Sequence, residues 1–148
     1  APIVTFAPAN NATGVLVGTS SVTLSFNEAI RLLDNSAIDS YDLDSLVYFK
    51  KDVTPLAFSA VIDGTNKVIT ITPAAALVKD ATYSFGFKAK FEDIADNVVA
   101  ANAATFKTET TSVAAQYLSW TPVKNTTTAP WLGTSAPITL NFSSPVFT

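Results

Sequence analysis

The chain repeats itself. Phe6-Ala7-Pro8-Ala9-Asn10-Asn11 returns as Trp120-Thr121-Pro122-Val123-Lys124-Asn125, 114 residues on. Gly18-Thr19-Ser20 returns as Gly133-Thr134-Ser135 at a separation of 115, and Thr23-Leu24-Ser25-Phe26 as Thr139-Leu140-Asn141-Phe142 at 116. Ile30 then matches Val146. The order is kept while the spacing drifts by two residues, as loop insertions make it drift. Self-similarity at a fixed period marks a chain built from repeated structural units. The 148 residues therefore divide into one complete module at 1–108, a polar linker at 109–116 and the opening of a second module at 117–148.

Period-two alternation dominates inside the first module. Val22, Leu24 and Phe26 alternate with Thr23 and Ser25, Val68-Ile69-Thr70-Ile71-Thr72 does the same up to Pro73, and Tyr83, Phe85 and Phe87 alternate with smaller or polar residues. That period is the signature of strands with one buried face. Leu46 to Phe49 and Ala57 to Ile62 are short β-rich runs, and Val98 to Phe106 reads as a final, Ala-rich strand. Turn signals separate them: Asn10-Asn11, Gly14, Gly18, Asp63-Gly64-Thr65-Asn66 and Asp96-Asn97. Short strands at this regular spacing predict an all-β sandwich or barrel. Glu28 to Leu33 and Pro73 to Lys79 are each expected to form a single helical turn, the second with Pro at its first position.

Composition removes most chemistries. The chain has no His and no Cys, which excludes the common transition-metal sites, the His-based nucleophile pairs and disulfides. Nine Lys and Arg stand against twelve Asp and Glu, so no basic excess supports nucleic-acid binding. The longest apolar runs fall far short of the ~20 residues a spanning helix needs, so no membrane insertion is expected. The start, Ala1-Pro2-Ile3-Val4, lacks the basic-then-apolar pattern of a signal peptide and reads as a mature end or an imposed boundary. Carboxylates, Lys, Tyr and hydroxyls remain, without a pocket signature, and no enzymatic activity is expected.

Several segments, in order, resemble the bacterial Ig-like domains of the S-layer and surface-adhesin type. They are Pro8-Ala9-Asn10-Asn11-Ala12-Thr13-Gly14-Val15, Val22 to Ile30, Val68 to Pro73, Leu77, Ala81 to Phe85, and Glu92-Asp93-Ile94-Ala95-Asp96-Asn97. In the last segment Asp96 stands where the family usually has Gly; the middle, Asp34 to Asp52, matches poorly. The resemblance implies an immunoglobulin-like Greek-key β-sandwich of about seven strands, followed here by the first strands of a second similar module. It further implies use in tandem, as a spacer or adhesive stalk at the cell surface or outside the cell. Within that frame Tyr83 is expected to be structural, its hydroxyl bonding back to upstream backbone at the corner before the penultimate strand.

The candidate sites are few. Asp34, Asp39, Asp42 and Asp44 form an acidic stretch that lacks the Gly and terminal Glu of a twelve-residue Ca²⁺ loop, and it reads as a solvated loop. Glu92, Asp93 and Asp96 are the Ca²⁺ candidates; the competing role is to hold a turn by side-chain bonds to backbone. No other cofactor is expected. Asn11, Asn125 and Asn141 fit the glycosylation acceptor pattern. Leu118, Trp120, Ile138, Leu140 and Phe142 alternate on the incomplete second module and form its expected inter-module or strand-donation face. Tyr117, Trp120 and Trp131 are also candidates for stacking on sugars.

Three functions follow. The first is a non-catalytic spacer whose partners are neighbouring Ig-like modules of the same chain or of adjacent subunits. The second is a subunit of an extracellular filament, residues 117–148 completing a sandwich with a neighbour. The third is a carbohydrate-binding accessory module.

Overall fold

The computed structural model describes residues 1–110 in full and the backbone of 117–121 and 139–142. The chain divides into two compact units, Ala1–Thr111 and Ser112–Thr148.

The first unit is a two-layer sandwich. One layer has the order β1 (Val4–Ala7), β3 (Val22–Phe26), β8 (Val68–Pro73), β7 (Phe58–Ile62), all antiparallel. The other runs β2 (Ala12–Val15), β11 (Asn102–Thr108), β9 (Thr82–Phe87), β5 (Val47–Lys51), β6 (Thr54–Pro55). Only β2 and β11 pair in parallel. A short ladder of β4 (Ile30–Leu32) with β10 (Phe91–Asp93) closes one end. The chain passes from one layer to the other between β1 and β2, at a cis Ala7–Pro8 peptide.

Alternation builds the core. Val22, Leu24 and Phe26 of β3, Ile69 and Ile71 of β8, Tyr83, Phe85 and Phe87 of β9, and Val47 and Phe49 of β5 are all buried, at every second position. Burying each such side chain contributes roughly 1.5–3 kcal/mol. Phe26 meets Phe87 edge-on at 5.5 Å between ring centroids, and Tyr83 stacks between Phe49 and Phe106. Gly86 is the tight point: a Cβ there would lie 2.4 Å from the Asn102 carbonyl oxygen, so β9 and β11 come together only with glycine.

The elements differ from expectation at three places. The acidic stretch is not a solvated loop: Ser40–Leu46 forms α1, which packs on the edge strand β7. Asp39 caps it, accepting from the Asp42 N–H at 2.8 Å, and Asp42 reaches back to the Asp39 N–H at 3.1 Å. That reciprocal box satisfies two otherwise orphan donors, and buried Leu43 ties the helix down. No helical turn forms at Glu28 to Leu33, because buried Ile30 opens β4 instead. None forms after Pro73 either: Pro73 ends β8, the Ala74 N–H donates to Ala57, and the Val78 N–H donates to Tyr83 Oη rather than to a carbonyl four residues back. The last strand begins at Asn102, while Val98 makes only an isolated bridge to Glu92.

The second unit contains β12 (Tyr117–Thr121) antiparallel to β13 (Thr139–Phe142). Ser119 pairs with Asn141, Trp120 with Leu140 and Thr121 with Thr139. In the first unit Thr5 pairs with Ser25, Phe6 with Leu24 and Ala7 with Thr23. Under the repeat alignment these are the same three pairs. They part at Phe142, which pairs with Tyr117 across a shift in register, where Phe26 pairs with Val4.

Candidate functional site

Strand direction gives the first unit two distinct ends. Val4 opens β1 opposite Phe26, and β8 runs from Val68 down to Pro73, away from that end. The corner at residues 74–81 turns there, and Thr108 closes β11 against Ala81. The module is thus entered at one end and left at the other.

The entry end carries the acidic group. Arg31 on β4 reaches Glu92 Oε1 through Nε at 3.0 Å and Asp96 Oδ1 through its terminal nitrogen. Asp93 Oδ1 accepts from the Ala95 and Asn97 N–H groups at 2.8 and 2.9 Å, and Oδ2 from Asn97 Nδ2 at 2.8 Å. These bonds, the Asn97 N–H first, hold the Asp93 carboxyl below its ordinary pKa. Asp96, at the family's usual glycine position, has φ +61° and keeps the left-handed turn that glycine would make. Glu92 and Asp96 therefore face a guanidinium while Asp93 faces its own loop. Among the described residues no three acidic side chains converge as a metal site. Asp34 closes a turn on Ser36, Asp39 and Asp42 cap α1, and Asp44 lies exposed on that helix.

The exit end is built around Tyr83. Its ring is buried and its hydroxyl accepts from the Val78 N–H at 2.9 Å. Thr108, also buried, donates to the Val78 carbonyl at 2.8 Å and accepts from the Ala81 N–H at 3.0 Å. Tyr83 and Thr108 thus grip the two faces of one peptide segment. Sequence reading passed over Thr108, although Ala104, Phe106 and Thr108 share one inward alternation. Glu109 continues the module: its N–H donates to Val15, its carbonyl accepts from Asp80, and its carboxylate lies 4.0 Å from Lys79. Two shallow grooves of about 210 and 320 Å³ flank Pro73 to Ala76, with Lys51 as the one charged lining residue. Neither pairs an acid with a base or a nucleophile with an activating group.

Asn11 sits in an exposed turn at φ +63°, with Oδ1 accepting from Thr105 Oγ1 at 3.1 Å. Asn125, Trp131 and Ile138 lie outside the described residues. Of Tyr117, Leu118, Trp120, Leu140, Asn141 and Phe142 the structure describes the backbone, in β12 and β13. In the first unit, Phe6 holds the register position of Trp120 and is half-buried, edge-on to Phe85 at 5.6 Å.

The profile of the bacterial Ig-like domain matches residues 1–108. The chain belongs to that family. The Ig-like domain is also similar to solved structures at low identity. The S-layer protein rSbsC(31-844) is 16% identical with a TM-score of 0.49, over 81% of this chain and 15% of that one. PcoC, a copper resistance protein from Escherichia coli, is 12% identical with a TM-score of 0.48, over 71% of this chain and 96% of that one. The chain thus spans about 15% of the length of the S-layer protein. No curated protein sequence matches. Among the described residues no helix is long and apolar enough to cross a membrane.

Proposed function

We propose that this Ig-like chain is a non-catalytic structural module of a repetitive extracellular or cell-surface protein, a spacer in a stalk, adhesin or S-layer-like assembly. One observation carries the reading: β12 and β13 pair in the register of β1 and β3 at three of their four pairs under the repeat alignment. That match supports a second module that starts with the fold elements of the first. Within the first module, the opposite placement of entry and exit suits a spacer. The edge strands suit a spacer that keeps to itself. β6 is two residues long and contains Pro55, and α1 packs on β7. Neighbouring Ig-like modules are the partners on this reading, and Ca²⁺ is not needed to satisfy Glu92, Asp93 or Asp96.

Protease shaving of intact cells of the source organism tests it. Peptides of this sequence should be released while cytosolic markers stay inside. Release only after lysis would sink the surface assignment, and retention of the chain on a glycan surface, lost on Trp120→Ala with the fold intact, would replace the spacer by a sugar-binding module.

A further inference from the structure

The turn between β1 and β2 presents a group that the packing of the module does not use. Asn11-Ala12-Thr13 is an Asn-x-Thr triplet, the acceptor pattern for attaching a glycan to the Asn amide. Asn11 sits at φ +63°; its N–H donates to the Thr105 carbonyl at 2.7 Å, and its Oδ1 accepts from Thr105 Oγ1 at 3.1 Å. These bonds hold the backbone and the amide oxygen. They leave Nδ2, the nitrogen that would take a sugar, without a partner among the described residues. Asn11 and Thr13 are both exposed, while half-buried Ala12 between them packs on the core. The surface beyond stays open: a Cβ on Gly14 would meet no atom within 4 Å.

We propose that Asn11 is a glycosylation site, its Nδ2 joined to the reducing-end sugar of an oligosaccharide. The donor is a lipid-diphosphate-linked oligosaccharide, and a membrane-bound transferase of the source cell delivers it. In the step the bond from Nδ2 to the anomeric carbon forms and the bond from that carbon to the diphosphate oxygen breaks. One amide proton passes to a base of the transferase, and the lipid diphosphate leaves. Thr13 supplies the hydroxyl by which the triplet is read. The site rests on the extracellular reading, because such a transfer takes place on exported chains.

Two arguments favour this site. The first is recurrence. Between residues 6–13 and 120–127 only Pro8, Asn11 and Thr13 recur unchanged, as Pro122, Asn125 and Thr127. The left-handed backbone at Asn11 accounts for an Asn there, since Asn visits that region more readily than most residues. It does not account for an exposed Thr two positions later. The second argument is placement. β1 edges one layer, β2 edges the other, and the turn bearing Asn11 joins them. The far edges of both layers are guarded, β7 by α1 and β6 by its two-residue length and Pro55. β1 and β2 hold no charged residue and no Pro, and only β2 has a register shift to blunt it. A bulky, hydrated glycan on the joining turn covers the less guarded side of the sandwich.

The test is mass spectrometry of the chain from source cells, comparing the fraction shaved from intact cells with the lysate. Residues 1–31 hold no other Asn-x-Ser or Asn-x-Thr triplet, and tryptic cleavage after Arg31 places Asn11 alone on its peptide. That peptide should carry a glycan mass and yield sugar fragment ions. The glycan should be lost on Asn11→Gln and equally on Thr13→Ala, which changes one exposed side chain and keeps Asn11. An unmodified peptide in the shaved chain overturns the site alone. An unmodified peptide in a chain that shaving never releases overturns the site together with the surface reading. A glycan that persists in Thr13→Ala overturns attachment through the triplet. Light scattering tests the shielding: the Thr13→Ala chain should associate to a larger mean mass than the glycosylated parent, and a strictly monomeric variant overturns that role.

Discussion

Replacing Tyr83 by Phe removes one oxygen atom and leaves the aromatic packing intact. The ring stays stacked at 5.5 Å on Phe49 and 5.4 Å on Phe106, with 2% of the residue exposed, so no cavity opens. What is lost is the acceptor of the Val78 N–H. Val78 is itself exposed and the bond is part-buried, so its loss costs about 0.5–1.5 kcal/mol, whereas a substitution away from such features stays within about 0.5 kcal/mol. At about 4–6 °C per kcal/mol for a domain of this size, Tyr83→Phe should lower Tm by about 2–9 °C. Urea unfolding followed by far-ultraviolet circular dichroism, with near-identical m values, measures it. Thr108→Val sharpens the test, because Thr108 holds the carbonyl of Val78 while Tyr83 holds its N–H. The two losses should couple by about 0.5–2 kcal/mol in a double-mutant cycle, since either one frees the same segment. A Tyr83→Phe protein as stable as the parent, or two strictly additive losses, would refute the idea that this corner is held as one unit.

Two other outcomes are expected. Gly86→Ala should destabilise by about 2–3 kcal/mol: the relief in unfolded-chain entropy is only about 0.4–1 kcal/mol, and the added Cβ meets backbone that cannot swing aside; an equal or higher urea midpoint would contradict the close approach of β9 and β11. The Asp63 carboxyl is held down to about 2, by the Thr65 hydroxyl first and then by the Val68 and Lys67 N–H groups, so the stability it confers is present above pH 4 and drains away as pH falls toward 2. The parent and Asp63→Asn should therefore differ most near neutrality and converge at pH 2; a gap independent of pH would show that the charge on Asp63 plays no part.

Much of the sandwich is legible in single runs of residues. Val22-Thr23-Leu24-Ser25-Phe26 announces both its strand and its buried face, because a period of two leaves one way to hide three apolar side chains. Tyr83 is legible for a different reason, lying within a recognisable corner segment. The misses share a cause. Asp39 to Leu46 reads as acidic loop when charges are counted, yet Asp39 and Asp42 are spaced to bond each other's backbone. That box matters only once Leu43 has a core to enter. Ala74 to Lys79 has helical composition, but the partners of its backbone, Ala57 and Tyr83, lie on other strands. Thr108 looks like one more exposed threonine until the corner closes over it.

The repeat, the strand periods and the lack of His and Cys are properties of order and composition. They bound the fold class and the accessible chemistry without any coordinates, because burial patterns and ligand types are local. Which end of the sandwich gathers Arg31 with Glu92 and Asp96, residues more than sixty positions apart, is decided by strand order. So is the match between the β12–β13 and β1–β3 registers. Both depend on how strands align across the sheets, and alignment follows from the packing of all of them together.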